Sequence, residues 1–116
     1  MPVRVLVVDD DADWREYLRL SLTDMGYQVD EAASGAEALT ALARSSYGVL
    51  LLDHNMPGMS GEEVIRKLRP PDPAVVLVTN ARADEVAPAL SHGPFYYLPK
   101  DASQDQLQLL LSSLVT

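Results

Sequence analysis

The stretch VLLLD at residues 49–53 runs four apolar residues straight into one aspartate, and the turn-like sequence HNMPG follows it. A strand this apolar is normally buried on both faces, as the central strands of a parallel sheet are. Three other apolar runs, Val3–Val8, Ala74–Val78 and Phe95–Leu98, are separated by stretches with helical character. The run Tyr27–Ala32 is more polar and alternates, which is typical of an edge strand. The sequence therefore predicts five strands, each followed by a helix.

The helix starts are marked by residues that cap free backbone N–H groups. Ser34, Ser60 and Ser103 each have a Glu or Gln three residues on, which is the capping-box pattern, and Asp11 can cap the first helix. The expected fourth helix contains Pro88, and an interior proline costs about 3 kcal/mol because it removes a backbone hydrogen bond and clashes with the preceding turn. We therefore expect this helix to be short, kinked or mobile.

Strands that alternate with helices predict an α/β fold with a parallel sheet. Apolar central strands covered by helices on both faces favour a doubly wound (βα)5 three-layer sandwich of the flavodoxin-like type, with a five-stranded sheet in the order 2-1-3-4-5. This order places the polar second strand at one edge and the proline-flanked fifth strand at the other, where proline is tolerated. The length of 116 residues suits a single domain over residues 1–116.

The composition excludes several classes of function. The chain lacks cysteine, which excludes disulfides and thiolate metal sites, and it has no apolar stretch near the roughly 18 residues that a membrane span needs. The N-terminus has too short an apolar run for a signal peptide, so we expect a cytoplasmic protein. Nine basic against seventeen acidic residues give a net charge of −8, which argues against direct nucleic-acid binding and fits a cation-binding or protein-binding role.

Reactive side chains stand where four of the predicted strands end. In open parallel sheets the binding site lies beyond the carboxyl ends of the strands. Those ends deliver carboxylates, a hydroxyl and an ammonium: Asp9, Asp10 and Asp11 after the first strand, Asp53 after the third, Thr79 after the fourth and Lys100 after the fifth. The edge strand, which ends in Ala32, delivers nothing reactive.

Several carboxylates at one sheet edge repel each other unless cations neutralise them. Lys100 supplies one positive charge, which is too little, so a hard divalent cation is the expected complement. Mg²⁺ takes one or two carboxylates together with phosphate oxygens and water. With a lysine, a threonine hydroxyl and one free carboxylate as nucleophile, the set fits phosphoryl transfer through an acyl phosphate.

Four motifs together resemble one family, the receiver domains of two-component response regulators. They are VLVVDDD near the start, LLDHNMPGMSGEE in the middle, VVLVTN in the fourth strand and YYLPK in the fifth, and they span essentially the whole chain. The resemblance implies that Asp53 is the phosphoacceptor. Its expected partner is a sensor histidine kinase or a histidine phosphotransfer domain, which supplies the phosphoryl group from a phosphohistidine.

The resemblance also implies a metal site. Asp9 and Asp10 match the acidic pair that holds Mg²⁺ (or Mn²⁺) in the family. Asp53 and the backbone carbonyl of Asn55 complete the expected protein ligands.

The resemblance further implies a conformational switch. Thr79 and Lys100 match the residues that contact the phosphoryl group, and Tyr97 matches the aromatic residue whose rotamer follows the threonine inward on activation. Receivers usually signal through the surface of the fourth helix, the fifth strand and the fifth helix. A downstream protein or a second receiver is the expected partner there.

Three departures from the family pattern affect these expectations. Asp101 stands where proline usually follows the lysine, which predicts a differently aimed Lys100 and a possible ion pair between the two residues. Asn80 is larger than the small residue usual at its position, so it should hinder small phosphodonors. Pro88 and the stretch Ser91–Phe95 replace a smoother helix and turn, which predicts atypical output and not loss of phosphorylation.

The expected function is thus a phosphorylatable signalling domain, not an enzyme acting on other substrates. One alternative is a receiver-like interaction module that is not phosphorylated, which Asp101, Asn80 and Pro88 favour. Another is a phosphohydrolase, because Asp53-His54-Asn55 faintly resembles the D-x-D of haloacid-dehalogenase-like phosphatases, although Asn55 lacks their second carboxylate. A stand-alone receiver and a piece of a hybrid kinase or longer regulator both fit the sequence.

Overall fold

The computed structural model describes residues 3–53, 56, 58, 61–68, 73–80 and 96–115. The five strands are β1 (Arg4–Val8), β2 (Gln28–Ala32), β3 (Val49–Leu52), β4 (Ala74–Thr79) and β5 (Tyr96–Pro99). The helices are α1 (Ala12–Asp24), α2 (Gly35–Arg44), α3 (Gly61–Arg66) and a last helix, Gln104–Val115. The expectations for Ser60, Pro88 and the fourth helix fall on residues outside these ranges. None of the described helices is long and apolar enough to cross a bilayer.

The strands form one parallel sheet in the order β2-β1-β3-β4-β5, which confirms the predicted topology. All four residues of β3 are buried, as the apolar run VLLL predicts for a central strand. In β2 only Ala32 is fully buried, and β5 has no fully buried residue, so both edges of the sheet are the predicted ones. The sequence pattern of each strand thus matches its place in the sheet.

Alternate residues of the strands feed two separate apolar clusters, one on each face of the sheet. On one face Leu50 and Leu52 pack in a cluster with Ala38 of α2 and Val64 and Ile65 of α3. The opposite face carries the cluster that includes these residues of β3, α1 and the last helix: Val49, Leu51, Leu18, Leu22, Leu107 and Leu111. The described helices therefore cover both faces, which confirms the predicted three layers.

The caps predicted for α1, α2 and the last helix are formed. The Asp11 carboxylate accepts from the backbone N–H groups of Asp13 and Trp14 at 3.0 and 3.3 Å, so α1 begins directly after β1. Gly26 ends the turn after α1 with a φ of 97°, a left-handed conformation that glycine adopts without steric cost. Ser103 accepts from Gln106 N–H and Gln106 Oε1 accepts from Ser103 N–H, which is a complete capping box.

Candidate functional site

Two aspartates stand side by side where β1 and β3 end. Val8 and Leu52 pair in the sheet, so Asp9 and Asp53, one residue further on, lie on neighbouring strands. The backbone N–H of Asp53 donates to the carbonyl of Val8 at 2.9 Å. Both side chains are buried, with Asp9 2% and Asp53 6% exposed. The buried strand β3 therefore places the carboxylate of the next residue, Asp53, in a protected position at the carboxyl end of the sheet.

Asp10 completes a cluster of three carboxylates with these two residues. Carboxylate oxygens of Asp9, Asp10 and Asp53 all lie within 4.8 Å of one another. Asp10 is exposed, whereas the other two are buried, so the cluster opens to solvent on one side. Asp11, the third acid of the run that follows β1, is instead engaged in capping α1.

Lys100 faces this cluster from the end of β5. Its Nζ lies 2.8 Å from Asp9 Oδ2 and 3.8 Å from Asp53 Oδ2, with 17% of the lysine side chain exposed. Burial lowers the pKa of the Lys100 ammonium, but its contact with Asp9 and the charges of Asp53, Asp9 and Asp11 together raise that pKa above the ordinary value. The lysine is therefore held as a cation beside both buried carboxylates.

Thr79 and Tyr97 occupy the neighbouring strands. Thr79 ends β4 with 2% of its surface exposed, and its carbonyl accepts from the backbone N–H of Lys100 at 3.3 Å. Tyr97 lies in β5 and packs, half-buried, against the cluster of apolar residues under α2 and α3. The sheet thus brings Asp9, Asp53, Thr79 and Lys100 together at the carboxyl ends of the strands. Tyr97 lies on the face of the sheet that α2 and α3 cover. Asn55 falls outside the described residues.

The acidic cluster has the properties of a site for a hard divalent cation. Asp9 Oδ1 accepts from the backbone N–H of Asp11 at 2.9 Å. Asp9 Oδ2 is buried and forms an ion pair with Lys100, but among the described residues it has no hydrogen-bond donor of good geometry. A buried carboxylate oxygen is normally satisfied. Three carboxylates opposed by one ammonium form an oxygen donor set that fits Mg²⁺ or Mn²⁺.

The predicted ion pair between Lys100 and Asp101 is wrong. Within the described part of the chain, the lysine's ion-pair partners are the buried Asp9 and Asp53, while Asp101 is exposed. Opposite charges attract more strongly in the low dielectric of the interior than at the surface, so the lysine turns inward. Asp101 and Asn80 instead line an open cavity of about 340 Å³ beside Lys100, together with Asp11 and Trp14.

Comparisons with known proteins identify the family. The sequence model described as "Response regulator receiver domain" matches residues 5–112 of the chain. The chain belongs to this receiver domain family. The receiver domain is 40% identical over 118 residues to the response regulator MprA of Mycobacterium sp. strain KMS, with 99% of this chain and 51% of MprA covered. It therefore spans about half the length of the curated relatives that it matches.

Two solved structures are similar to this receiver domain. The chemotaxis protein CheY4 of Vibrio cholerae is 28% identical, with a TM-score of 0.91, and 99% of this chain and 100% of CheY4 are covered. The response regulator protein TrrA of Thermotoga maritima, solved in complex with Mg²⁺-BeF, is 32% identical with a TM-score of 0.89, at 99% and 100% coverage. These structures confirm the flavodoxin-like fold predicted from the sequence.

Sequence reasoning missed two side chains of α1 at the edge of this receiver domain. Arg15 donates to the backbone carbonyl of Asp9 at 2.6 Å and pairs with Glu31 of β2 at 3.3 Å, so the edge strand does contribute to the site's surroundings. Trp14 lies beneath Lys100, whose Nζ is 5.5 Å from the centre of the indole ring. The available signal was position, because the first turn of α1 starts at the same sheet edge as the acidic run.

Proposed function

We propose that this chain is a phosphoacceptor domain of a two-component phosphorelay. In this proposal Asp53 takes a phosphoryl group from a phosphohistidine of a sensor histidine kinase or a histidine phosphotransfer domain. The observation that carries the proposal is the placement of Asp53: a buried carboxylate 3.8 Å from an ammonium, in a cluster with two further carboxylates. Membership of the receiver domain family supports the same assignment.

The proposed step is a phosphoryl transfer between two side chains. An Asp53 carboxylate oxygen attacks the phosphorus, a P–O bond forms, the P–N bond of the phosphohistidine breaks, and the imidazole nitrogen retains the electron pair and takes up a proton. Lys100 neutralises negative charge on the phosphoryl oxygens, and the hydroxyl of Thr79 donates a hydrogen bond to them. The product is an acyl phosphate on Asp53.

Asp9, Asp10 and Asp53 would hold the metal, with the backbone carbonyl of Asn55 as the further ligand that the family resemblance implies. Mg²⁺ or Mn²⁺ would supply positive charge that offsets the repulsion between the carboxylates and the incoming phosphoryl oxygens. The close approach of the three carboxylates supports this donor set, and so does the Mg²⁺-BeF complex of TrrA.

We propose that the acyl phosphate then biases a two-state equilibrium through Thr79 and Tyr97. A ligand shifts such an equilibrium only by its difference in affinity for the two states. Here the phosphoryl group would draw the Thr79 hydroxyl inward and Tyr97 would follow. The surface of the fourth helix, β5 and the last helix would then change its affinity for a downstream protein or for a second receiver.

The net charge of −8 supports a protein partner and not a nucleic acid. We propose that the chain forms one receiver domain over residues 1–116, that it acts in the cytoplasm, and that its chemistry is limited to its own phosphorylation and slow dephosphorylation. Because the matched relatives are about twice as long, its output in the cell is part of this proposal. Both a separate partner and an attached domain are compatible with it.

The test is the intact mass of the protein after incubation with Mg²⁺ and either acetyl phosphate or a phosphorylated transfer domain. We expect one phosphoryl adduct on the wild type and none on Asp53→Ala, while the exposed Asp105→Ala serves as a matched control that keeps the adduct. A folded wild type that gains no adduct from either donor would instead favour the interaction module. Rapid turnover of simple phosphate esters would contradict the limited chemistry proposed above.

A further inference from the structure

The indole ring of Trp14 forms one wall around the Lys100 ammonium. Lys100 Nζ lies over the ring at 5.5 Å from its centre, and the same ammonium pairs with the carboxylates of Asp9 and Asp53. A cation over an aromatic face is attracted by the negative charge of the π system, most strongly over tryptophan. The Lys100 head group is therefore contacted by two carboxylates and by one aromatic face.

The ring itself is held in place. Trp14 stacks on Tyr17, one turn further along α1, with ring centres 5.2 Å apart and an angle of 29° between the planes. Trp14 also packs, half-buried, against the apolar cluster under α1 and the last helix. The backbone N–H of Trp14 donates to the carboxylate of Asp11, and this cap fixes the first turn of the helix. Trp14 can therefore act as a fixed support for a flexible neighbour.

Lys100 needs such a support. A lysine side chain has about 2 kcal/mol of rotamer entropy to lose when it is held in one geometry. Its two carboxylate partners attract the ammonium unequally. Nζ lies 2.8 Å from Asp9 but 3.8 Å from Asp53, so the closer ion pair is with Asp9 and not with the proposed phosphoacceptor. When a metal neutralises the acidic cluster, the pull of both carboxylates weakens, but the attraction of the indole face does not change.

We propose that Trp14 is a positioning residue for Lys100: its indole face holds the ammonium beside Asp53 so that the lysine is in place for phosphoryl transfer. This inference rests on the proposed function of Asp53 for its catalytic consequence. The contact between Trp14 and Lys100 itself can be measured without any phosphoryl transfer.

The contact is tested on the unphosphorylated protein by NMR of ¹³C-labelled lysine. The chain has two lysines, Lys67 and Lys100, so the methylene groups next to the ammonium give two resolved sets of signals that Lys67→Arg assigns. We expect the Lys100 signals upfield of the Lys67 signals, because protons over an aromatic face are shielded. Trp14→Leu should remove that difference, whereas Trp14→Phe should retain part of it. Recording the spectra with and without Mg²⁺ tests whether the contact persists when the acidic cluster is neutralised.

The catalytic consequence is tested with acetyl phosphate, which has no protein surface that α1 could bind. We expect Trp14→Leu to slow the labelling of Asp53 by about 3- to 10-fold, the range that a partly buried cation–π contact supports. Trp14→Phe and Trp14→Tyr should stay within about twofold of wild type because they keep an aromatic face. Tyr27→Leu, which removes an aromatic from the same apolar cluster, is the packing control and should also have little effect.

A double-mutant cycle separates positioning from packing. In a Lys100→Met background, Trp14→Leu should cause no further loss of labelling rate. Equal losses in both backgrounds, or equal losses for the Leu, Phe and Tyr variants with unchanged thermal unfolding, would overturn the inference. Unshifted Lys100 signals in the wild type would also overturn it. If neither phosphodonor labels the wild type, the proposed function fails, and the lysine spectra still decide whether Trp14 holds Lys100.

Discussion

At the scale of single residues, the inward turn of Lys100 follows from where the opposite charges are buried. Two unit charges about 4 Å apart attract by about 4 kcal/mol at an effective dielectric constant near 20, and by about 1 kcal/mol in bulk water. Asp9 and Asp53 are buried, whereas Asp101 is exposed and screened by solvent. The residue that stands where the family usually has proline therefore lines the rim of the site, while the lysine pairs with the buried acids.

Tyr47 is a second residue with an altered proton affinity. Its hydroxyl donates to Asp30 Oδ2 at 2.6 Å, and burial, followed by the hydrogen bond and the charge of Asp30, raises the pKa of Tyr47 from 10.0 to about 12. Between these values the folded protein keeps a proton that the unfolded chain loses. The contribution to the free energy of unfolding is therefore fully present below pH 10 and is lost as pH rises towards about 12.

We expect Tyr47→Phe to remove this part of the alkaline dependence. Urea unfolding of the wild type and the variant across that range measures the slope of the free energy of unfolding against pH, which should be shallower in the variant. Asp30→Asn, which removes the charged acceptor, should have a smaller effect in the same direction. Parallel slopes for all three proteins would contradict the assignment.

At the scale of elements, the last helix is tied to the site through its first residues. It begins four residues after Lys100, and its capping box at Ser103 and Gln106 fixes where it starts. Leu107 and Leu111 then bury one side of the helix in the cluster that also contains residues of α1 and β3. Gln104 Nε2 adds a hydrogen bond to Ser21 Oγ of α1 at 3.0 Å.

We expect Ser103→Ala to lower the free energy of unfolding by about 1 kcal/mol, because it leaves a free N–H group at the helix start. The exposed Ser112→Ala, in the interior of the same helix, is the matched control. It should be neutral or slightly stabilising, because alanine has the higher helix propensity. Chemical denaturation of the three proteins measures the difference, and equal stabilities of Ser103→Ala and Ser112→Ala would count against the cap.

At the scale of the whole molecule, the balance of charge predicts that stability depends on cations. The chain carries a net charge of −8, and three of its carboxylates lie in one cluster. A ligand that binds the folded state alone adds RT ln(1 + [L]/Kd) to the free energy of unfolding, which is about 1.4 kcal/mol at ten times Kd. Folding and metal binding should therefore be coupled in this protein.

We expect Mg²⁺ to raise the midpoint of thermal unfolding and a chelator to reverse the effect. Asp9→Asn should lose most of the increase, whereas the exposed Asp24→Asn, outside the cluster, should keep it. Sodium chloride at matched ionic strength separates specific binding from general screening. An equal increase with either salt would show that the cluster does not bind the metal specifically.

Much of this architecture could be predicted because the apolar runs and the alternating pattern of an edge strand are both local features of the sequence. The apolar runs located β3 and β4, and strand order followed from the edge-like pattern of β2. The convergence of Asp9, Asp53 and Lys100 followed from the common direction of parallel strands. The directions of side chains could not be predicted in this way. The contact of Trp14 with Lys100 depends on the rotation of α1 about its axis. The pairing of Lys100 with Asp9 and Asp53, and not with Asp101, depends on which acids are buried, and only the packed fold determines that.

The backbone hydrogen bonds of the site residues have a consequence for the time course of signalling. The amides of Asp9, Asp53 and Lys100 donate to the carbonyls of Ala32, Val8 and Thr79, at the ends of adjacent strands. Each main-chain anchor therefore exchanges its amide proton with water only when the sheet edge opens. If a phosphoryl group is added and removed at Asp53, as the proposed function requires, we expect these main-chain hydrogen bonds to keep the spacing of the anchors. We therefore expect slow exchange of these three backbone amide protons, and we expect the faster motions of the site to be changes of side-chain rotamer.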